Sequence, residues 1–165
     1  MIPKSVAGAV FSKSRTEVLL IKRRDVPVWV LPGGGIDAEE LPEAAIVREI
    51  LEETGFHVKV VRKSGFYLPI NRLAKPTLLY ECGIEGGNAA ISSETRSVAF
   101  FPLANLPPMP PPYQQWVEDA RTAIDPPPIK TLDSLNYRAA LKLFLLHPIL
   151  MLRFLLARLG LPINT

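Results

Sequence analysis

The sequence predicts a mixed α/β (α+β) domain, because short extended runs surround one well-capped helix and further helical stretches follow. The length, 165 residues, suits a single domain with its own core. Apolar residues make up 48% and charged residues 21%, which sets the chain apart from disordered and membrane-spanning classes.

Residues 6–11 and 17–22 read as two strands around a polar turn at 12–16. Residues 26–31 form a third extended run, ended by Pro32 and the triple glycine 33–35. A loop then leads to Leu41. Pro42 suits the first helical position, where its missing N–H is no loss, and Glu43 stands favourably in the first turn. The helix is expected to end at Thr54, with Gly55 as its stop. Residues 56–61, 66–68 and 76–84 read as strands, 85–93 as a loop, and 97–101 as a last strand. A proline-rich connection at 103–112 precedes a helix at 113–124, which Pro126, Pro127 and Pro128 must terminate. Residues 137–159 read as helical, with Pro148 removing a backbone bond and kinking or splitting the helix. Residues 1–125 are expected to form the principal domain. Residues 126–165 would be a proline-rich connection and an apolar helical segment.

The net charge of +3 is too small to argue for nucleic acid, and no specific nucleic-acid partner is expected. Its distribution is uneven. From Pro126 onward five basic residues face one acid, so that segment carries +4 and residues 1–125 carry −1. Cys82 is the single cysteine, which excludes an internal disulfide. It lies in an apolar run and reads as a buried thiol in a reducing compartment. The N-terminal residues lack the apolar core and cleavage site of a signal peptide. No run offers the roughly 20 apolar residues of a membrane span. A cytoplasmic enzyme or binding module is the expectation.

Chemistry concentrates on the first helix. At 100° per residue, Glu49, Glu52 and Glu53 fall within about 100° of one another, while Ile46, Val47, Ile50 and Thr54 form the core face. Three like charges so placed repel by roughly 0.2–0.5 kcal/mol per pair. A hard divalent cation reverses that sign, since Mg2+ takes oxygen ligands and is commonly shared between carboxylates and phosphates. A bare acidic triplet would ordinarily mark only a solvated face. Here a triple glycine just ahead lets backbone approach a ligand closely, and Glu40 precedes Arg48 by eight residues.

Gly34, Glu40, Arg48, Glu49, Ile50, Glu52, Glu53, Gly55 and Phe56 stand at the spacings of the Nudix box. That box reads Gly, five residues, Glu, seven residues, Arg-Glu-aliphatic, one residue, Glu-Glu, one residue, Gly-aliphatic. Phe56 is the single departure, an aromatic at an aliphatic position. The chain therefore resembles the Nudix hydrolase family. The resemblance extends to Ala7–Lys22, to Trp29–Gly35 and to Glu94–Leu106, and so covers about residues 5–124.

The resemblance implies a mixed β-sheet sandwiched between α-helices. It also implies hydrolysis of a diphosphate linkage in a nucleoside diphosphate joined to another moiety, such as ADP-ribose or a nucleotide sugar. Nucleoside triphosphate pyrophosphohydrolysis and a non-catalytic nucleotide-sensing module are the alternatives. Mg2+ is the expected cofactor, with Mn2+ as a substitute. Carried over by position, Glu49, Glu52 and Glu53 match metal ligands, with the Gly33 or Gly34 carbonyl as an extra ligand. Arg48 and Glu40 match bracing positions. Glu52, Glu53, Glu94 and Arg48 form the expected catalytic set, with a box glutamate or Glu94 as general base.

Three further residues have both a functional and a structural reading. Arg23 and Arg24 end a strand before the glycine loop and could pair with a substrate phosphate, or simply be a solvated strand end. Trp29 could stack on a base or fill the core. The segment 139–161 is apolar nearly all round and needs cover. Its own domain, a homodimer partner, or an anionic membrane surface in peripheral contact would each supply it.

Overall fold

A computed structural model describes residues 2–122 and 124–158. Among these residues seven strands and four helices follow one another as β1 (Ser5–Val10), β2 (Glu17–Arg23), β3 (Trp29–Val30), α1 (Pro42–Thr54), β4 (Phe56–Pro69), β5 (Thr77–Gly87), β6 (Thr95–Pro102), α2 (Tyr113–Arg121), β7 (Ile129–Leu132), α3 (Tyr137–Leu146) and α4 (Pro148–Arg158). They form a mixed sheet in the order β1-β5-β4-β7 and an antiparallel sheet in the order β3-β2-β6. In the mixed sheet β1 runs parallel to β5, and β7 parallel to β4. A bridge between Phe11 and Val18 joins the two sheets at the β1–β2 turn.

Alternation of side chains along the strands decides which helix each residue meets. Val6, Val10, Leu19, Leu78, Tyr80 and Cys82 pack with Ala45, Ile46 and Ile50 of α1. Their neighbours Ala7, Ala9, Val18, Leu20 and Leu79 pack with Trp116, Val117 and Ala120 of α2. The strands therefore lie between helices, the α+β arrangement that the sequence predicts. Burial pushes the Cys82 thiol up to about 12, so it is protonated at neutral pH.

Helix α1 begins at Pro42, and its last turn is closed by Gly55 at φ 76°, whose N–H donates to the Leu51 carbonyl at 2.9 Å. The two short runs at 56–61 and 66–68 are one 14-residue strand, β4, with register shifts near Val58, Arg62 and Gly65. The polar stretch Arg62–Lys63–Ser64 hides this continuity, because a bulge breaks the alternation that marks a strand. Residues 129–132, placed in a connection by sequence, form the edge strand β7. Only Leu132 of that strand is buried, so no apolar pattern announces it. The long C-terminal helix is split at His147 into α3 and α4, as Pro148 requires. Residues 159–161 of the predicted apolar run lie outside the described residues. Among the described residues, no helix is long and apolar enough to cross a membrane.

Candidate active site

The loop 32–35 lies along β1, with the Gly8 amide donating to the Pro32 carbonyl at 2.9 Å and the Val6 amide to the Gly34 carbonyl at 3.0 Å. Gly33 is obligatory, and a side chain at Gly34 would displace the Glu49 carboxylate. Gly33 has φ 150°, and a Cβ there would stand 2.2 Å from the Val6 carbonyl oxygen. A Cβ on Gly34 would stand 2.4 Å from the Glu49 carboxylate. The backbone thus passes directly against the acidic face of α1.

Glu53 points inward from α1, is 7% exposed, and accepts the Gly33 N–H at 2.8 Å. Burial pushes its pKa up to about 8, and the charges of Glu49 and Glu94 add to the rise. The Gly33 amide and the positive Arg23 oppose it. Glu49 is likewise raised, chiefly by desolvation, against the pull of Arg48. Glu52 is the exposed member, with 59% of its side chain open to solvent.

Arg48 gathers the loop and the helix. Its Nε and Nη2 form a fork on Glu40, each 2.9 Å from a carboxylate oxygen. Its Nη1 reaches Glu49 at 3.0 Å and Glu52 at 3.3 Å, and its Nη2 also donates to the Gly35 carbonyl at 3.2 Å. The guanidinium beside Glu40 holds that carboxyl down at about 2. Arg48 thus engages Glu49 as well as Glu52 one turn on, which adds to its bracing of Glu40.

Glu94 lies in the loop before β6, within electrostatic reach of Glu49 and Glu53. Arg24 fastens that loop: its Nε donates to the Ser92 carbonyl at 3.1 Å and its amide to the Glu94 carbonyl at 2.9 Å. Arg23 forms a fork with Asp25, and the side-chain hydrogen bond holds its proton more tightly than usual. Trp29, paired with Lys22 across β2–β3, stands edge-on to Phe101 at 4.7 Å and has the Lys22 ammonium 5.8 Å from its ring centre. The fold therefore draws Glu49, Glu53, Glu94, Arg23 and Gly33 to one place. Trp29 packs against the core on the α2 side, and Glu52 faces outward.

Two residues near the site escape sequence reasoning. Asp25 claims the Arg23 fork, and the Arg-x-Asp spacing was a local clue to it. Tyr113 opens α2 and shares the electrostatic field of Arg23, Glu53 and Asp25, although 60 residues separate it from Glu53. Nothing local announces that meeting. Tyr67, which stands where a specificity residue could be sought, is instead buried and donates its hydroxyl to Asp119.

Among the described residues, no three acidic, histidine or cysteine side chains converge closely enough to hold a metal ion as they stand. Arg48 draws Glu49 and Glu52 toward itself, and Glu53 turns to Gly33. The donor set nevertheless fits a hard divalent cation. It consists of carboxylate oxygens on one helix face, two of them desolvated and mutually repulsive, beside a glycine backbone.

A mixed α+β domain with an arginine-braced acidic helix docked on a glycine loop is the class that fold and site define. The chain belongs to the NUDIX family: the NUDIX domain model matches residues 2–120. A MutT-like protein of Streptomyces ambofaciens is 38% identical over 97 residues, 59% of this chain and 62% of that protein. A protein of Bacillus subtilis (strain 168), provisionally named an 8-oxo-dGTP diphosphatase, is 59% identical over 34 residues. That match spans 21% of this chain and 23% of the relative. The chain thus spans less than two thirds of the length of either curated relative. Among solved structures, an ADP-ribose pyrophosphatase from Streptococcus suis 89-1591 superposes with a TM-score of 0.64 at 24% identity. That superposition covers 79% of this chain and 99% of the other, a likeness of fold.

Proposed function

We propose that this chain is a Mg2+-dependent hydrolase of the diphosphate linkage in a nucleoside diphosphate joined to another moiety, such as ADP-ribose or a nucleotide sugar. The observation that carries the reading is Glu53. A buried carboxylate pressed against Glu49 and a glycine backbone is unfavourable by itself and becomes favourable beside a cation. Glu49, Glu52, Glu53 and the Gly33 carbonyl are the proposed ligands for Mg2+, or for Mn2+ in its place. When bound, such an ion neutralises phosphate oxygens and the charge developing on the leaving group.

The remaining work falls to this chain's own groups. Arg48 and Glu40 hold the loop against α1, so that the carboxylates keep their spacing. Glu94 accepts a proton from the attacking water. The water oxygen bonds to phosphorus as the bridging P–O bond breaks, which leaves a nucleoside monophosphate and a second phosphate product. Arg23, Arg24 and Trp29 are the proposed substrate contacts. Arg23 would exchange Asp25 for a phosphate, and Arg24 would act at least through the loop that carries Glu94. Residues 1–125 are proposed as the hydrolytic unit, with a cytoplasmic setting.

A second reading is hydrolysis of a nucleoside triphosphate to the monophosphate and pyrophosphate. The name of the Bacillus subtilis relative, an 8-oxo-dGTP diphosphatase, favours it. A panel of ADP-ribose, nucleotide sugars and nucleoside triphosphates, assayed with Mg2+ and with EDTA, separates the readings. Turnover confined to triphosphates, with pyrophosphate released, would establish the second. Nucleotide binding without any turnover would leave a sensing module.

A further inference from the structure

Helices α3 and α4 are consecutive segments of one kinked apolar arm, joined at His147, and among the described residues neither makes more than marginal contact with any other helix or strand. Its base is held firmly. β7 extends the mixed sheet, and the Asn71 side-chain amide donates to the Leu135 carbonyl at 2.7 Å. Beyond that anchor the arm presents large apolar side chains to solvent on both helices. Leu141, Leu145 and Leu146 are exposed on α3, and Ile149, Leu152 and Leu155 on α4, with Leu145 at 71% and Ile149 at 75%. Scattered exposed leucines need no explanation, but a contiguous apolar surface on one anchored element does.

The charge pattern indicates what covers it. After Asp133 the sequence contains no acid, whereas Arg138, Lys142, Arg153 and Arg158 are all cationic. Arg138 and Lys142 are exposed on α3 among the leucines. A two-fold interface between copies of this face would set the exposed Arg138 and Lys142 of one copy near those of the other, cation against cation. An anionic lipid surface answers both features: headgroups take the cations, and the acyl boundary takes the leucines. Lys142 and Arg153 leave only ten residues between them, about 15 Å of helix and roughly half a hydrocarbon core, so the arm cannot span and lies in the interface. We propose that the α3–α4 arm is a monotopic anchor that docks the domain on an anionic membrane surface.

Flotation of the full chain with vesicles tests this. The wild-type protein should float with vesicles containing phosphatidylglycerol and remain behind with pure phosphatidylcholine. High salt should weaken the binding. Replacing Arg138→Gln together with Lys142→Gln should lower partitioning roughly 30-fold, at about fivefold per cation lost near the surface. Leu145→Glu with Ile149→Glu should abolish it. Both pairs are exposed, and unchanged thermal unfolding without lipid would show that the fold survives. Absence of flotation with either vesicle, or equal flotation of wild type and both variants, overturns the proposal. So does a dimer in lipid-free sedimentation that Leu145→Glu with Ile149→Glu dissociates, since that outcome gives the face to a second copy.

Discussion

Helix α1 and the α3–α4 arm carry charge of opposite sign and resolve it in opposite ways. On α1 the acids find partners within the molecule: Glu53 is buried against the Gly33 amide, and Arg48 engages Glu49 and Glu52 while bracing Glu40. On the arm the cations Arg138 and Lys142 stand exposed among exposed leucines. A charge cluster whose partners lie inside the same chain is a site under construction, awaiting one small ligand. A charged apolar surface without such partners needs something large.

Changes on α1 should therefore damage chemistry first, and the largest effect belongs to Glu53. Glu53→Gln preserves size but removes one charge from the proposed metal site, and turnover should fall by at least about 100-fold with the fold intact. Wild-type turnover with Mg2+ in this variant would end the metal assignment. Glu94→Gln should lower kcat by about 100-fold, at the lower end of what a general base contributes, while metal affinity stays nearly unchanged. An unaltered pH–rate profile would move the base to a box glutamate. Arg48→Lys keeps the charge but loses the fork on Glu40, so turnover or metal affinity should drop by roughly 10–100-fold.

Stability should respond to the same carboxylate. The Glu53 pKa rises from an ordinary 4.5 to about 8 in the folded protein, so the folded state binds that proton more tightly than the unfolded chain does. The stabilisation is complete below about 4.5 and is lost as pH rises toward 8. In EDTA the Tm should accordingly fall across that window. Glu53→Gln should be more stable than wild type at pH 8, by on the order of a few kcal/mol. An identical pH dependence of Tm in the two proteins would place the buried charge elsewhere. The smallest effect sharpens the contrast from the other side: Arg138→Gln with Lys142→Gln should leave kcat on a water-dissolved nucleotide within about twofold, because exposed charges away from the site are nearly neutral. A large loss of kcat would mean that the α3–α4 arm serves the site directly.

How legible each part was follows from the range of the interactions that made it. The span of α1 and its stop at Gly55 could be read directly, since capping and periodicity act within a few residues. The spacing of Glu40, Arg48, Glu49, Glu52 and Glu53 survives intact into the brace, because helix geometry alone sets most of it. β4 was legible only as two pieces, its bulges having disrupted the alternation, and β7 was not legible at all. The apolar arm could be recognised as needing cover, but that its described residues make only marginal contact with the other helices and strands could not.

By itself, then, the sequence determined the α+β class, the acidic helix with its glycine loop, the break at Pro148 and the basic, acid-free end of the chain. These are local properties, set by residue type and spacing over a turn or a strand. Tertiary structure alone decided that Glu53 is buried while Glu52 is open, that Asp25 holds Arg23, and that Arg24 ties down the Glu94 loop. It alone brought Tyr113 toward Glu53 across 60 residues. Burial and long-range pairing depend on which surfaces meet when the sheets close between α1 and α2, and no window of the sequence contains both partners.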